Sequence, residues 1–384
     1  MKITLFSFFS AIFWSGILII AIYFLRKTQY KRYFGMFTIV LLYLFCAVRM
    51  FFPLEFSHVY IINDQTVYPQ IYKALTSDGG FGTGISLLRV VGAVEISVFA
   101  FLLIRYIANY HKALKTIKRY AALVRSERTQ DILGEIKRLT KKNLDVSVLT
   151  VSNIDTPFGF GIFRKMILLP RKDYTDEELR YILLHEYTHL INRDILVKLL
   201  VSLFCMFFWW FPVSHLLKRD LEQTLEIKCD LSVSNHLNMS ERASYLQTIV
   251  NTLNNNKSQN TLPYAATALL AGRKNTNIEV RERFKMVTNY GTGRIRHVIN
   301  VLIVCVFGLL LILSYSVISQ PSFEAPESTE PDAVDFDPSN AYIQREADGY
   351  WLYIDDIPQV PIKEDEAEFY RNLGFTIIES GDEK

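Results

Sequence analysis

Four apolar runs, each long enough to cross a bilayer as a helix, set the limits on what this chain can fold into. They extend from about Thr4 to Leu25, Phe34 to Leu54, Ile85 to Ile107 and Val298 to Ile318. A hydrocarbon core about 30 Å thick takes roughly 20 apolar residues to span. A soluble domain rarely carries such a run, because it has no polar face to give to water. Composition agrees: 50% of the 384 residues are hydrophobic and the mean hydropathy is positive. The first run has no small-residue cleavage site after it and ends at Arg26-Lys27, so it reads as a retained span and not as a signal peptide.

Orientation follows from where Lys and Arg collect beside the spans. Arg26, Lys27, Lys31 and Arg32 fill the first loop, Lys112, Lys115, Lys118 and Arg119 follow the third run, and Arg294 and Arg296 precede the fourth. These clusters agree if the N-terminus is outside, residues 108–297 are cytosolic and the tail is outside. The acidic tail, whose basic residues are Arg345, Lys363, Arg371 and Lys384, fits that topology. The net charge of +3 thus conceals a basic inside and an acidic outside, and gives no reason to expect nucleic acid as a partner. Arg49, Arg89 and Glu95 fall within apolar runs, where a charge faces a bundle interior or a partner; Glu95 is expected to pair with one of the two arginines.

The expected organisation is three transmembrane helices in 1–107 with an outer loop at 55–82, a cytosolic protease domain at 108–297, a fourth span at 298–318, an acidic linker at 319–341 and a small extracellular module at 342–384. Within the cytosolic segment, 106–144 reads as basic helix, 146–151 and 165–170 as strands, 214–235 and 240–253 as helices, and 254–260 as a loop. Thr175 and Glu178 form a capping box, so a helix should begin there; no Gly or Pro interrupts it before Phe204. Residues 195–213 are apolar but broken by Lys198, and are expected to lie partly in the membrane interface.

The chemistry sits in that capped helix, as His185-Glu186-Tyr187-Thr188-His189. Residues four apart on a helix face the same way, so both imidazoles can bind one zinc ion, with Glu186 beside them as general base for the attacking water. The four cysteines, Cys46, Cys205, Cys229 and Cys305, include no Cys-x-x-Cys pair, which leaves His and carboxylate to hold the metal. Glu222, Glu226 and Asp230 form one acidic stripe on the next polar helix, and such a stripe calls for a cation or a histidine cluster to compensate it. Cys229 is expected to pack, and Asp194 either to orient a histidine or to pair with Arg193. Residues 160–169 offer an edge strand on which an extended peptide could lie.

His185 to Asp194 followed by Glu226-Ile227-Lys228-Cys229-Asp230 resembles the BlaR/MecR-type membrane metallopeptidases, the family of the β-lactam-sensing signal transducers. Residues 49–56, 157–170, 210–212 and 283–286 resemble further segments of that family, so the likeness covers about 1–318. It implies that Glu226 is the third zinc ligand, with Glu222 the weaker competitor, and that Asp230 bonds the outer nitrogen of a ligand histidine. Residues 319–384 contain no Ser-x-x-Lys nucleophile and are too few for a penicillin-binding domain, so a β-lactam receptor is not expected.

The expectation is therefore a polytopic α-helical membrane protein with four transmembrane helices and a cytosolic α+β, gluzincin-type zinc endopeptidase. Its partners would be a cytosolic protein or peptide substrate, a repressor or the chain's own loop by resemblance, together with membrane lipids and room for a homo-oligomer. Two alternatives stay open: an HtpX-like quality-control protease, and a receptor whose zinc domain is only a scaffold.

Overall fold

A computed structural model describes residues 5–27, 35–54, 60–64, 67–76, 86–254 except 125, 152–153 and 155, 277–289, 294–321, and 341–379 except 347–348, 355–356 and 373. The Gly-rich stretch at 78–82, the loop at 255–260 and nearly all of the linker, 322–340, lie outside the described residues. The described chain is mostly helical.

The apolar runs form helices α1 (Leu5–Lys27), α2 (Met36–Phe51) and α4 (Leu87–Tyr120), with the short α3 (Val67–Thr76) preceding α4. The last run forms the helix Arg294–Ser316. Three of these, all but α2 and α3, are long and apolar enough to cross a membrane. The second run forms a shorter apolar helix, since α2 has 16 residues and a length of about 24 Å. Lys and Arg are good helix formers, so the basic stretch simply prolongs the third helix to Tyr120, about 51 Å in all. The side chains of α4 point outward; Ile96 and Ile104 are 70% and 67% exposed. Such a surface needs lipid or a partner to cover it.

Beyond α4 the chain forms β2 (Ala121–Leu123), α5 (Glu127–Thr140), β3 (Val146–Val151), β4 (Phe158–Phe160) and β5 (Lys165–Pro170). The single helix expected over 106–144 is thus two helices separated by a strand. The sheet order is β2-β3-β5-β4, with β3 and β5 parallel and β4 antiparallel to β5 at the edge. Lys165–Pro170 is therefore an interior strand, while β4, whose three residues are buried, is one of the two terminal strands and β2 the other. Gly161 turns the β4–β5 hairpin at φ +91°, where a Cβ would meet the Arg164 carbonyl oxygen at 1.9 Å. Gly161→Ala is expected to cost more than about 1 kcal/mol, read as a lowered thermal unfolding midpoint.

The capping box forms as expected: Glu178 N donates to Thr175 Oγ1 at 3.1 Å, and Thr175 N to Glu178 Oε2 at 3.2 Å. It opens α6 (Asp176–Ile191). Tyr187 locks α6 to the end of α5, donating to Lys142 O at 2.7 Å and accepting from Leu144 N at 2.9 Å. The uninterrupted helix expected to Phe204 breaks instead at Arg193, which takes a left-handed φ of 56°, and α7 (Asp194–Phe207) begins anew. Then follow α8 (Pro212–Ser234), α9 (Met239–Asn254), α10 (Asn277–Asn289) and the last apolar helix, α11 (Arg294–Ser316).

Among the described residues of 1–322, two of the three hydrophobic cores meet at α8, the third being formed by Ile117, Val151, Ile154, Phe158, Phe160 and Leu168. One packs α1, α2, α7 and α11 around Leu217, Leu221, Leu225 and Ile227 of α8; the other joins α5, β3, β5, α6, α9 and α10 to Cys229 and Val233 of the same helix. Helix α8 thus belongs to both. Glu95 pairs with neither Arg49 nor Arg89: it accepts from Trp209 Nε1 at 2.9 Å, while Arg49 reaches Ser314 and lies over the Tyr315 ring. The outer loop is more than a connection, since β1 (Tyr60–Asp64) pairs in parallel with β6 (Val317–Pro321).

Residues 323–384 form a separate unit. Its sheet has the order β10-β7-β8-β9, from β7 (Ala341–Glu346), β8 (Gly349–Ile354), β9 (Ile357–Ile362) and β10 (Ile377–Glu379). Helix α12 (Glu364–Asn372) and Phe375 close its core over Ile343, Leu352 and Ile354.

Candidate metal centre

Four-residue spacing on α6 brings the two imidazoles together, with Nε2 of His185 and Nε2 of His189 3.2 Å apart. Glu226 of α8 faces both, Oε2 lying 3.7 Å from His185 Nε2 and Oε1 3.6 Å from His189 Nε2. Ligand atoms about 2.0–2.1 Å from a tetrahedral ion stand about 3.3 Å from one another, so these three groups could close on a single zinc ion with small adjustments. Cys229 lies close by as well. His185, His189 and Cys229 offer donor atoms within 4.8 Å of one another, and the thiol donates to His185 O at 3.3 Å. It also stands 3.6 Å from His185 Nδ1, the nitrogen on the far side of the ring from His189. Cys229 therefore does more than fill space, contrary to its sequence reading: it interacts with both His185 and His189, which together hold its thiol below the ordinary value despite burial.

The outer nitrogens have partners of their own. His189 Nδ1 lies 2.8 Å from Asp194 Oδ2, an arrangement made possible by the left-handed turn at Arg193, which starts α7 with Asp194 folded back on α6. Lys228 donates to the other oxygen of Asp194 at 2.8 Å. His185 Nδ1 lies 2.8 Å from the Tyr245 hydroxyl and 3.4 Å from Asp230 Oδ1, and that hydroxyl donates to Asp230 at 2.7 Å. With a metal bound, these partners would keep each ring's proton on Nδ1 and leave Nε2 free to ligate.

The basic side chains around the site explain how the acidic stripe of α8 is tolerated. Lys198 Nζ reaches Glu226 Oε1 at 3.2 Å, and Arg283 of α10 grips Asp230 through Nε at 2.6 Å and Nη2 at 2.8 Å while its Nη1 lies 3.5 Å from Glu226 Oε2. Burial alone would raise the Glu226 carboxyl, but Lys198 and His189 outweigh it and hold it well below the usual range. Asp230 is likewise held low despite burial, chiefly by Arg283. Burial works against a proton on either imidazole, yet Cys229, Tyr245 and Asp230 at His185, and Cys229, Glu226 and Asp194 at His189, hold both well above their ordinary value.

Glu186 follows His185 in α6 and reaches the sheet. Its Oε2 accepts from the backbone N–H of Gly159 at 2.6 Å, which ties it to the edge strand β4. Glu222 lies one turn before Glu226 and adds its charge to the field on Lys198. His215 is used locally, Nε2 donating to Trp209 O at 3.1 Å. The residues that sequence reasoning missed are Tyr245 and the roles of Arg283, Lys198 and Lys228. For the three cations a signal existed, since a stripe of like charges requires nearby basic groups; for Tyr245 there was none.

Two comparisons bear on this geometry. The family model described as BlaR1 peptidase M56 matches residues 5–287, which include every residue of the site and nearly three quarters of the chain. The chain belongs to the BlaR1 peptidase M56 family. Among its M56 relatives are the methicillin resistance mecR1 protein of Staphylococcus aureus, 33% identical over 153 residues, and the regulatory protein BlaR1 of the same organism, 31% identical over 118 residues. The regulatory protein BlaR1 of Bacillus licheniformis is 24% identical over 136 residues. The matched stretches cover 39%, 30% and 35% of this M56 chain and 25%, 20% and 23% of those relatives. The similarity thus spans about a quarter of the relatives' length.

Proposed function

We propose that this chain is a zinc endopeptidase of the cytoplasmic membrane that cuts a cytosolic protein in response to an outer signal. The observation that carries the reading is the convergence of His185, His189 and Glu226 on one point, beside a carboxylate, Glu186, held against the terminal strand β4. Glu226 is the third ligand on this reading because its two oxygens each face one of the paired Nε2 atoms.

When bound, zinc supplies Lewis acidity at a peptide carbonyl and makes water nucleophilic near neutral pH. The chain's own groups do the rest. An extended peptide laid along β4 meets Glu186, which takes the proton of the attacking water on a carboxylate oxygen and returns it to the leaving amine. Asp194 and the Tyr245–Asp230 pair hold the outer nitrogens of His189 and His185, which keeps Nε2 of each ring deprotonated and aimed.

Four membrane spans with the protease segment 108–297 in the cytosol fit the distribution of basic residues, and a signalling role is favoured by the relatives, whose names describe resistance and regulation. A transcriptional repressor, or the chain itself, is the substrate class proposed. The test compares new protein N-termini in cells carrying the wild type and Glu186→Gln. Cytosolic fragments present only with the wild type are expected; identical fragments in both would contradict the reading. A further expectation concerns Tyr245→Phe. Removing this hydroxyl takes away one partner of His185 and should weaken zinc binding by about 10-fold or more, measured by competition with a chromogenic chelator.

A further inference from the structure

Arg26 ends α1, yet it is only 3% exposed. Its guanidinium forks onto Asp220 of α8, Nε donating to Oδ2 at 2.7 Å and Nη2 to Oδ1, and its Nη1 donates to Glu282 Oε1 of α10 at 2.9 Å. Tyr43 of α2 donates to the same Asp220 Oδ2 at 2.6 Å. Four elements, two from the apolar bundle and two from the peptidase half, therefore meet in one buried ionic junction.

Both acids of the junction lead to the metal centre. Asp220 precedes Glu226 by six residues and Asp230 by ten on one unbroken helix, about 9 and 15 Å along its axis. Glu282 is followed directly by Arg283, whose guanidinium holds Asp230 and faces Glu226. Between the two points α8 and α10 are joined again, by Gln223 Nε2 donating to Glu279 O at 3.0 Å and by the Arg219–Glu279 pair at 3.2 Å. A hydrophobic contact tolerates sliding by a fraction of a turn. A buried ion pair does not, because displacement leaves each charge uncompensated in a low dielectric.

We infer that Arg26 is a positioning residue for the metal centre: through Asp220 and Glu282 it holds α8 and α10 in the register that presents Glu226 and Asp230 to the two histidines, so that a shift of α1 alters the metal site. This rests on the reading of Glu226 as a ligand, and the experiment keeps the two apart.

The full chain is purified in detergent as wild type, Arg26→Gln, Arg26→Lys, Arg128→Gln and Glu226→Ala. Zinc affinity is measured by chelator competition, and site geometry by the visible absorption of the cobalt(II)-loaded protein. Arg26→Gln is expected to weaken zinc binding by about 10-fold or more and to change the cobalt spectrum, with Arg26→Lys restoring part of both. Arg128→Gln, which breaks an exposed pair with Asp176, changes neither. A folded Arg26→Gln with wild-type affinity and spectrum, alongside a Glu226→Ala that has lost zinc, overturns the inference alone. A Glu226→Ala that keeps wild-type affinity overturns the ligand reading, and the inference with it. Should Arg26→Gln not fold, Tyr43→Phe decides, since it removes one hydroxyl from Asp220 and leaves every charge in place: an altered cobalt spectrum supports the inference, and an unaltered one overturns it.

Discussion

Glu186→Gln should abolish peptide hydrolysis while the metal stays bound. The substitution keeps the shape of the side chain, and its amide oxygen can still accept from Gly159 N–H, so β4 and α6 keep their contact. His185, His189 and Glu226 are untouched. What disappears is the basic carboxylate that moves the proton from water to the leaving amine, a contribution of about 10²–10⁴ in rate. Metal analysis and the rate on a peptide cut by the wild type check both halves. Loss of metal together with activity would mean that Glu186 is structural.

Glu226→Ala should have the opposite signature, losing the metal itself. Removing a partner of a ligand costs about 10–100-fold in metal affinity, and removing a ligand should cost more. The change also strips the half-buried Lys198 of a carboxylate 3.2 Å away and the buried Arg283 of one at 3.5 Å, which leaves two cations without a carboxylate between them. Their repulsion adds to the loss of the ligand atom. Glu222→Ala, one turn away, should retain the metal. Chelator competition on the two variants measures the difference. Reversed results would transfer the ligand role to Glu222.

How much of this was legible depended on how local each feature is. The two histidines, Glu186 and the Thr175 cap rest on spacings of three and four residues within one helix, and the structure reproduces those spacings directly. Strands 146–151 and 165–170 were equally plain, but their order was not. Only the pairing of 158–160 with β5 shows that β4, and not β5, is a terminal strand. The fate of Asp194 depended on the break at Arg193, a left-handed residue without Gly or Pro to announce it. Once the break forms, Asp194 bonds His189 and Lys228, and the alternative of pairing with Arg193 falls away. Tyr245 and Arg283 reach the site from α9 and α10, and no short-range pattern reports contacts so distant in sequence.

Arg26 shows how a sound local rule can hide a second role. A basic residue at the end of an apolar run reads as a marker of orientation, and that reading used up its information. Its burial against Asp220 and Glu282 follows from long-range packing alone. The same packing makes α8 a member of two hydrophobic cores, so the helix that carries Glu226 is continuous with the apolar bundle.

The central claim, that His185, His189 and Glu226 hold one zinc ion on which peptide cleavage depends, is tested most directly by depleting the purified full chain with a chelator and adding zinc back. Hydrolysis should vanish on depletion and return in proportion to zinc up to one ion per chain, with no return in Glu186→Gln. Hydrolysis that persists in a chain shown by metal analysis to be free of zinc would contradict it.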